Sequence, residues 1–90
     1  RASMAVDTAR ECEIHVRGVL LNLQSATDLA EARELYQTAK RMVANGLRQP
    51  EIDGHEDAKR GLLALALFVH CVYRTKGAAA RGETRLLSVR

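Results

Sequence analysis

Three histidines and two cysteines are the side chains in this chain best suited to metal binding or nucleophilic chemistry. Cys12 and His15 lie three residues apart, a spacing that places both on one side of a helix, and His70 and Cys71 are adjacent. Such ligands suit zinc. Adjacent helical residues point about 100° apart, however, so His70 and Cys71 form a poor pair of ligands. We therefore expect no metal site, and we expect both cysteines to be free, small apolar core residues.

His70 stands alone in an apolar segment, and histidine is the side chain whose charge changes near neutral pH. A pH switch is one interpretation. More often a single histidine on an apolar face is neutral and hydrogen-bonded at the edge of an interface, and we expect that role here. The sequence contains no nucleophile elbow, P-loop or HExxH helix, so we expect neither an enzyme nor a bound cofactor.

Apolar residues recur at spacings of three and four through most of the chain, so the sequence predicts three amphipathic helices. These helices would position the cysteines and histidines. We predict helices over about residues 4–24, 28–45 and 54–76, in a single domain of residues 1–76. The predicted fold class is all-α, a small three-helix bundle running up, down, up, or a helical hairpin. Residues 77–90 are predicted to form an extended basic C-terminal tail.

Short polar segments mark the predicted helix ends. Ser25 or Thr27 would cap the second helix, and Gly46 would end it in the left-handed conformation. Residues 53–56, with Asp first and Glu last, resemble a capping box at the start of the third helix. Gly77 would end that helix.

Each helix carries one apolar seam that we expect to find in the core. The seam residues are Ala9, Cys12, Val16, Val19 and Leu23 on the first helix, Leu29, Ala32, Tyr36, Ala39 and Val43 on the second, and Ala58, Leu62, Leu65, Val69 and Val72 on the third. Packing of the three seams would form one small hydrophobic core.

The third helix has more apolar surface than one seam requires. Its segment of residues 61–73, GLLALALFVHCVY, has no charged residue. Leu63, Leu67 and His70 lie on one flank of the seam, and Phe68 lies on the other. Since each helix of a bundle contacts two others, we expect one flank to be buried within the chain. The leucines of the other flank would then be exposed, and each would lose about 1.5 to 3 kcal/mol of burial energy. The exposed flank therefore predicts an interface.

A second apolar stripe lies on the outer side of the first helix, where Ile14 and Leu21 flank Gly18. A predicted basic rim adjoins both apolar surfaces and would favour an acidic partner; it consists of Lys59, Arg60, Arg74 and Arg17. The predicted partner-binding residues are Leu63, Leu67, Phe68, His70, Arg60 and Arg74 on the third helix and Ile14, Arg17 and Leu21 on the first. Alternatively, the tail folds back and covers the third helix with Leu86, Leu87 and Val89.

The positive charge of the chain is concentrated at its C-terminal end. The formal charge is +3, and the residues after Tyr73 include five bases and one acid, so the preceding part is slightly acidic. A helix-turn-helix needs a short turn and a polar recognition helix, whereas this third helix is apolar through its centre. Only the tail would bind phosphates, without sequence preference.

The apolar segment is also too short, on its own, to cross a membrane. Thirteen helical residues span about 20 Å, less than the roughly 30 Å of a hydrocarbon core, and charged residues close both ends. The N-terminal residues carry no apolar signal segment. We expect a cytoplasmic protein, and the composition, rich in arginine, alanine and leucine, indicates a bacterial source.

The predicted function is that of a small protein–protein interaction module, a homodimer at rest, that binds and masks an apolar surface of a partner protein. In size and layout the chain resembles small regulators that mask a transcription factor's dimerisation surface, such as quorum-sensing antiactivators. Two alternatives remain: a basic-tailed nucleic-acid-binding accessory protein and a purely structural homodimeric subunit.

Overall fold

The computed structural model describes residues 2–80, which form three α-helices. They are α1 (Ala2–Ser25), α2 (Leu29–Leu47) and α3 (Glu56–Ala80), and a single 3₁₀ turn (Pro50–Ile52) precedes α3. The described residues contain no strand, which confirms the all-α class. Each helix contacts the other two, so the three apolar seams meet in one core.

The core consists largely of the predicted seam residues. The fully or almost fully buried side chains of the three helices include Val16, Leu20 and Leu23 of α1, Ala32, Ala39 and Val43 of α2, and Leu62, Leu65 and Val69 of α3. Leu29 is the exception among the predicted seam residues, because 41% of its surface is exposed. It is the first residue of α2, next to the turn from α1, and contributes little to the core.

The connector before α3 contains a core residue that helical periodicity does not reveal. Ile52, the last residue of the 3₁₀ turn, is completely buried, and this turn contacts both α1 and α3. Gly54 follows with a φ of 82°, a left-handed conformation that favours glycine. The predicted capping box is wrong, because α3 begins at Glu56 and the carbonyl of His55 accepts the first helical hydrogen bond, from the Lys59 N–H.

The ends of α2 and α3 also differ from the prediction. Asp28 caps α2, and its carboxylate accepts a hydrogen bond of 3.1 Å from the Ala30 N–H. The helices then continue through Gly46 and Gly77, neither of which acts as a stop. Residues 77–80 are therefore helical rather than part of an extended tail. The remainder of the predicted tail, with Leu86, Leu87 and Val89, lies outside the described residues.

Gly46 is needed for a close approach of α1 to α2 rather than for a turn. It is buried, and a Cβ atom at this position would lie 2.8 Å from the Cys12 sulfur. The Cys12 thiol donates a hydrogen bond of 3.4 Å to the Met42 carbonyl of α2. Burial raises the pKa of this thiol, because the thiolate would lose hydration. Cys12 is therefore a packing residue between two helices.

Candidate protein-binding surface on the third helix

Both flanks of α3 are exposed. The exposed fractions of Leu63, Leu67 and Phe68 are 54%, 65% and 49%, and Ala64 and Cys71 between them are exposed as well. We call these five residues the outer α3 face. The expectation that one flank would be buried within the chain is wrong, because α1 and α2 both pack on the side of α3 that carries its core seam.

The two cysteines have different environments. Cys12 is half-buried, whereas Cys71 is exposed on the outer α3 face, which corrects its assignment to the core. Both thiols are free. His15, the residue considered together with Cys12 as a zinc ligand, is exposed. Within residues 2–80, no group of three or more histidine, cysteine, aspartate or glutamate side chains is arranged to hold a metal ion.

His70 lies at the edge of the outer α3 face and is hydrogen-bonded to α2. Its Nδ1 atom lies 2.8 Å from the Tyr36 hydroxyl, and the Tyr36 ring stacks on Tyr73 with the ring centroids 4.3 Å apart. The Lys40 ammonium lies 5.1 Å from the centroid of the Tyr36 ring. The three- and four-residue spacing does not reveal this cluster, although tyrosine commonly keeps its hydroxyl at the polar edge of a core.

The predicted basic rim is largely neutralised within the chain. Three of its bases pair with an acid about one turn away on the same helix: Arg17 with Glu13 at 2.7 Å, Lys59 with Glu56 at 3.8 Å, and Arg60 with Asp57 at 3.1 Å. Arg74 is exposed and forms no ion pair within residues 2–80. The unpaired positive charge of this surface therefore lies at its C-terminal end.

The α1 stripe, Ile14, Gly18 and Leu21, forms a second exposed apolar surface. Ile14 and Leu21 are 62% and 67% exposed, on the side of α1 that faces away from its core seam. The predicted binding residues thus fall into two groups. The residues of α3 share one surface, and Ile14, Arg17 and Leu21 form a separate surface on α1.

Two grooves adjoin the outer α3 face on the side of α1. The larger, about 710 Å³, is lined by Phe68, Cys71 and Thr75 and by Gln24 and Thr27 at the turn between α1 and α2. The smaller, about 280 Å³, lies between the N-terminal halves of α1 and α3. Its lining includes Val6, Ala9, Asp57 and Gly61. The apolar surface of α3 therefore continues into concave regions that can accept side chains.

By length and composition, α3 is also a candidate for a membrane-crossing helix. An 18-residue window within Glu56–Ala79 has a mean hydropathy of 1.2, and 22% of that window is buried within the structure. The helix extends well beyond the thirteen uncharged residues from which the short span was predicted, so length alone does not exclude a membrane crossing. A helix that belongs to a protein core can pass the same test, and Leu62, Leu65 and Val69 of α3 are core residues.

Comparisons of the chain with models of known protein families, with curated proteins and with solved structures give no match. The function proposed below therefore depends on the exposed surfaces and their chemistry.

Proposed function

We propose that this chain is a protein–protein interaction module that binds and masks an apolar surface of a partner protein through the outer α3 face. The observation that carries this proposal is the exposure of Leu63, Leu67 and Phe68, each about half exposed or more, on one continuous helix surface. Full burial of an exposed leucine or phenylalanine is worth about 1.5 to 3 kcal/mol, and covering these partly exposed side chains would gain part of that energy. Contiguous apolar patches with polar rims are typical of protein interfaces.

We further propose that the bundle runs up, down, up and that the chain is a homodimer at rest. It would act without a cofactor in a bacterial cytoplasm. A regulator of this kind, for example an antiactivator, would mask the surface through which a transcription factor dimerises. The contacts of every described helix with the other two support the bundle. The α1 stripe offers a second surface, so that one chain can hold two proteins.

A protein partner suits this surface better than lipid because α3 is also a core helix. Insertion of α3 into a membrane would remove Leu62, Leu65 and Val69 from the core and expose the seams of α1 and α2 to water. It would also carry the charged first turn, with Glu56 and Asp57, towards the hydrocarbon. Another protein can contact the outer α3 face without opening the core and without burying the charged first turn.

The experiment that tests the proposal is affinity capture from the source cell with matched variants. Leu67→Asp places a charge at the centre of the outer α3 face, Leu21→Asp does so on the α1 stripe, and Gln37→Asp does so on the exposed side of α2. We expect the wild-type chain and Gln37→Asp to capture the same protein and Leu67→Asp to lose it. Unchanged circular dichroism would show that all three variants are folded.

Three results would contradict the proposal. Equal capture by Leu67→Asp and Gln37→Asp would place the binding surface elsewhere. Loss of the captured material after nuclease treatment, or a steep fall in its amount with increasing salt, would favour the nucleic-acid-binding alternative. Recovery of nothing except further copies of the chain would favour a purely structural homodimer.

A further inference from the structure

The exposed side of α3 follows the repeat of a coiled coil. Residues at alternating spacings of three and four form a line opposite the core seam, and all of them are exposed. These residues are Asp57, Arg60, Ala64, Leu67, Cys71 and Arg74. A second helix can therefore pack along about five turns of α3 without disturbing the contacts of α3 with α1 and α2.

The charges on this line disfavour a parallel pair of α3 helices. In a parallel pair each residue faces the same residue of the other copy, so Arg60 would face Arg60 and Arg74 would face Arg74. Asp57 would likewise face Asp57. Three of the six positions would then bring like charges together, which opposes association.

An antiparallel pair places opposite charges together at both ends. Suppose that the two helices cross at the point between residues 65 and 66 of each copy. Each residue of the exposed line then faces a particular residue of the other copy. These pairs are Asp57 with Arg74, Arg60 with Cys71, and Ala64 with Leu67. The apolar pairs lie at the centre and the ion pairs lie at the two ends, which is the distribution typical of an interface.

The ion pairs would involve two side chains, Arg74 and Asp57, that can still accept a partner of opposite charge. Arg74 has no acidic partner within residues 2–80. The Asp57 side chain is fully exposed, and only its Oδ1 atom accepts a hydrogen bond, from Arg60 at 3.1 Å. A carboxylate can accept several hydrogen bonds, so Asp57 can bind the second copy's arginine while keeping its contact with Arg60.

The shape of the flank towards α1 also suits the antiparallel alignment. In this alignment Phe68 of each copy lies over Gly61 of the other. A Cβ atom at Gly61 would meet no atom within 4 Å, and the groove of about 280 Å³ opens beside this glycine. The Phe68 ring, which is 49% exposed in the single chain, therefore has space to pack.

We propose that a second copy of this chain covers the outer α3 face, with the two α3 helices antiparallel and centred between Leu65 and Ala66. This inference rests on the proposed function, because it names the occupant of the same surface at rest. A client protein that binds the outer α3 face competes with the second copy, so client binding opens the pair.

The native thiol of Cys71 provides a direct test of the alignment. Arg60→Cys places a second thiol opposite Cys71 of the other copy. Within one chain these positions are eleven residues apart, about 16 Å along the helix, which is too far for a disulfide. Mild oxidation of Arg60→Cys should convert most of the protein into a covalent dimer on a non-reducing gel. The control Arg60→Cys/Cys71→Ser should remain uncrosslinked.

The wild-type chain provides the second control. In the antiparallel pair its two Cys71 thiols are about 16 Å apart along the helices, so oxidation should leave it uncrosslinked. Crosslinking of the wild type through Cys71 would show a parallel pair and overturn the inference. Equal crosslinking of Arg60→Cys and its Cys71→Ser control would also overturn it.

Three further outcomes separate this inference from the proposed function. A monomeric chain that captures a client in a Leu67-dependent manner would overturn the inference alone. A monomeric chain that becomes dimeric after deletion of residues 81–90 would show that the tail occupies the face, which also overturns it. Correct crosslinking together with Leu67-independent capture would instead support the pair and contradict the proposed function.

Discussion

At the scale of the residue, the hydroxyl of Tyr36 determines the position of His70 at the edge of the outer α3 face. The Tyr36 Oη and His70 Nδ1 atoms lie 2.8 Å apart, and within residues 2–80 this is the side-chain hydrogen bond that links α2 to α3. Tyr36→Phe should lower the free energy of unfolding by about 0.5 to 1 kcal/mol, since the bond is exposed to water. Urea denaturation measures this change.

Tyr73→Phe is the matched control for Tyr36→Phe. The two rings are stacked with an angle of 5° between their planes, and the Tyr73 hydroxyl has no hydrogen-bond partner in the described part of the chain. Tyr73→Phe should therefore preserve the stacking and leave the free energy of unfolding almost unchanged. Equal losses in both variants would show that the hydrogen bond does not stabilise the fold.

At the scale of the element, the spacing between α1 and α2 depends on Gly46. Gly46→Ala should lower the free energy of unfolding by about 1 kcal/mol or more, because the added methyl group would meet the Cys12 sulfur at 2.8 Å. This loss should occur although alanine favours a helix over glycine by about 1 kcal/mol. Urea denaturation of the single variant measures it.

A double-mutant cycle identifies the cause of this loss. Cys12→Ala removes the sulfur, so Gly46→Ala should cost much less, or become stabilising, in the Cys12→Ala background. Strictly additive changes in the free energy of unfolding would contradict the contact between Cys12 and Gly46. Circular dichroism of all four proteins would verify that helix content is preserved.

The periodicity of the sequence predicts the three helices and most of their buried residues. The three- and four-residue spacing of apolar residues predicts which side of an amphipathic helix is buried, and Val16, Leu23 and Val69 are buried as predicted. The helix ends were predicted less well, because glycine can end a helix or permit close packing within it. Gly46 does the latter, and only its distance from Cys12 distinguishes the two roles.

At the scale of the whole molecule, the direction from which neighbouring helices approach decides which apolar residues remain exposed. The sequence predicts that α3 has a seam and two flanks, and it identifies Leu63, Leu67 and Phe68 as surplus apolar residues. It does not predict that both flanks are exposed, because this depends on the packing of α1 and α2 on one side of α3. Ile52 was missed for a similar reason, since a single buried residue in a connector has no periodicity.

Deletion of residues 81–90 should leave the folded core intact. Every buried residue of the core cluster lies between Val16 and Val69, so the deletion removes none of them. We expect unchanged helix content from the remaining residues, a similar urea midpoint and an unchanged dimeric state. A large loss of stability would show that the deleted residues pack on the bundle, and a newly formed dimer would show that they cover the outer α3 face.

The mass of the chain in solution tests the role of the outer α3 face most directly. At about 100 µM, where a pair with a micromolar Kd is largely assembled, sedimentation equilibrium should give twice the chain mass of 9.9 kDa for the wild type and Gln37→Asp. Leu67→Asp should give the single-chain mass with unchanged helix content. A wild-type monomer, or a Leu67→Asp variant that remains dimeric, would contradict the account.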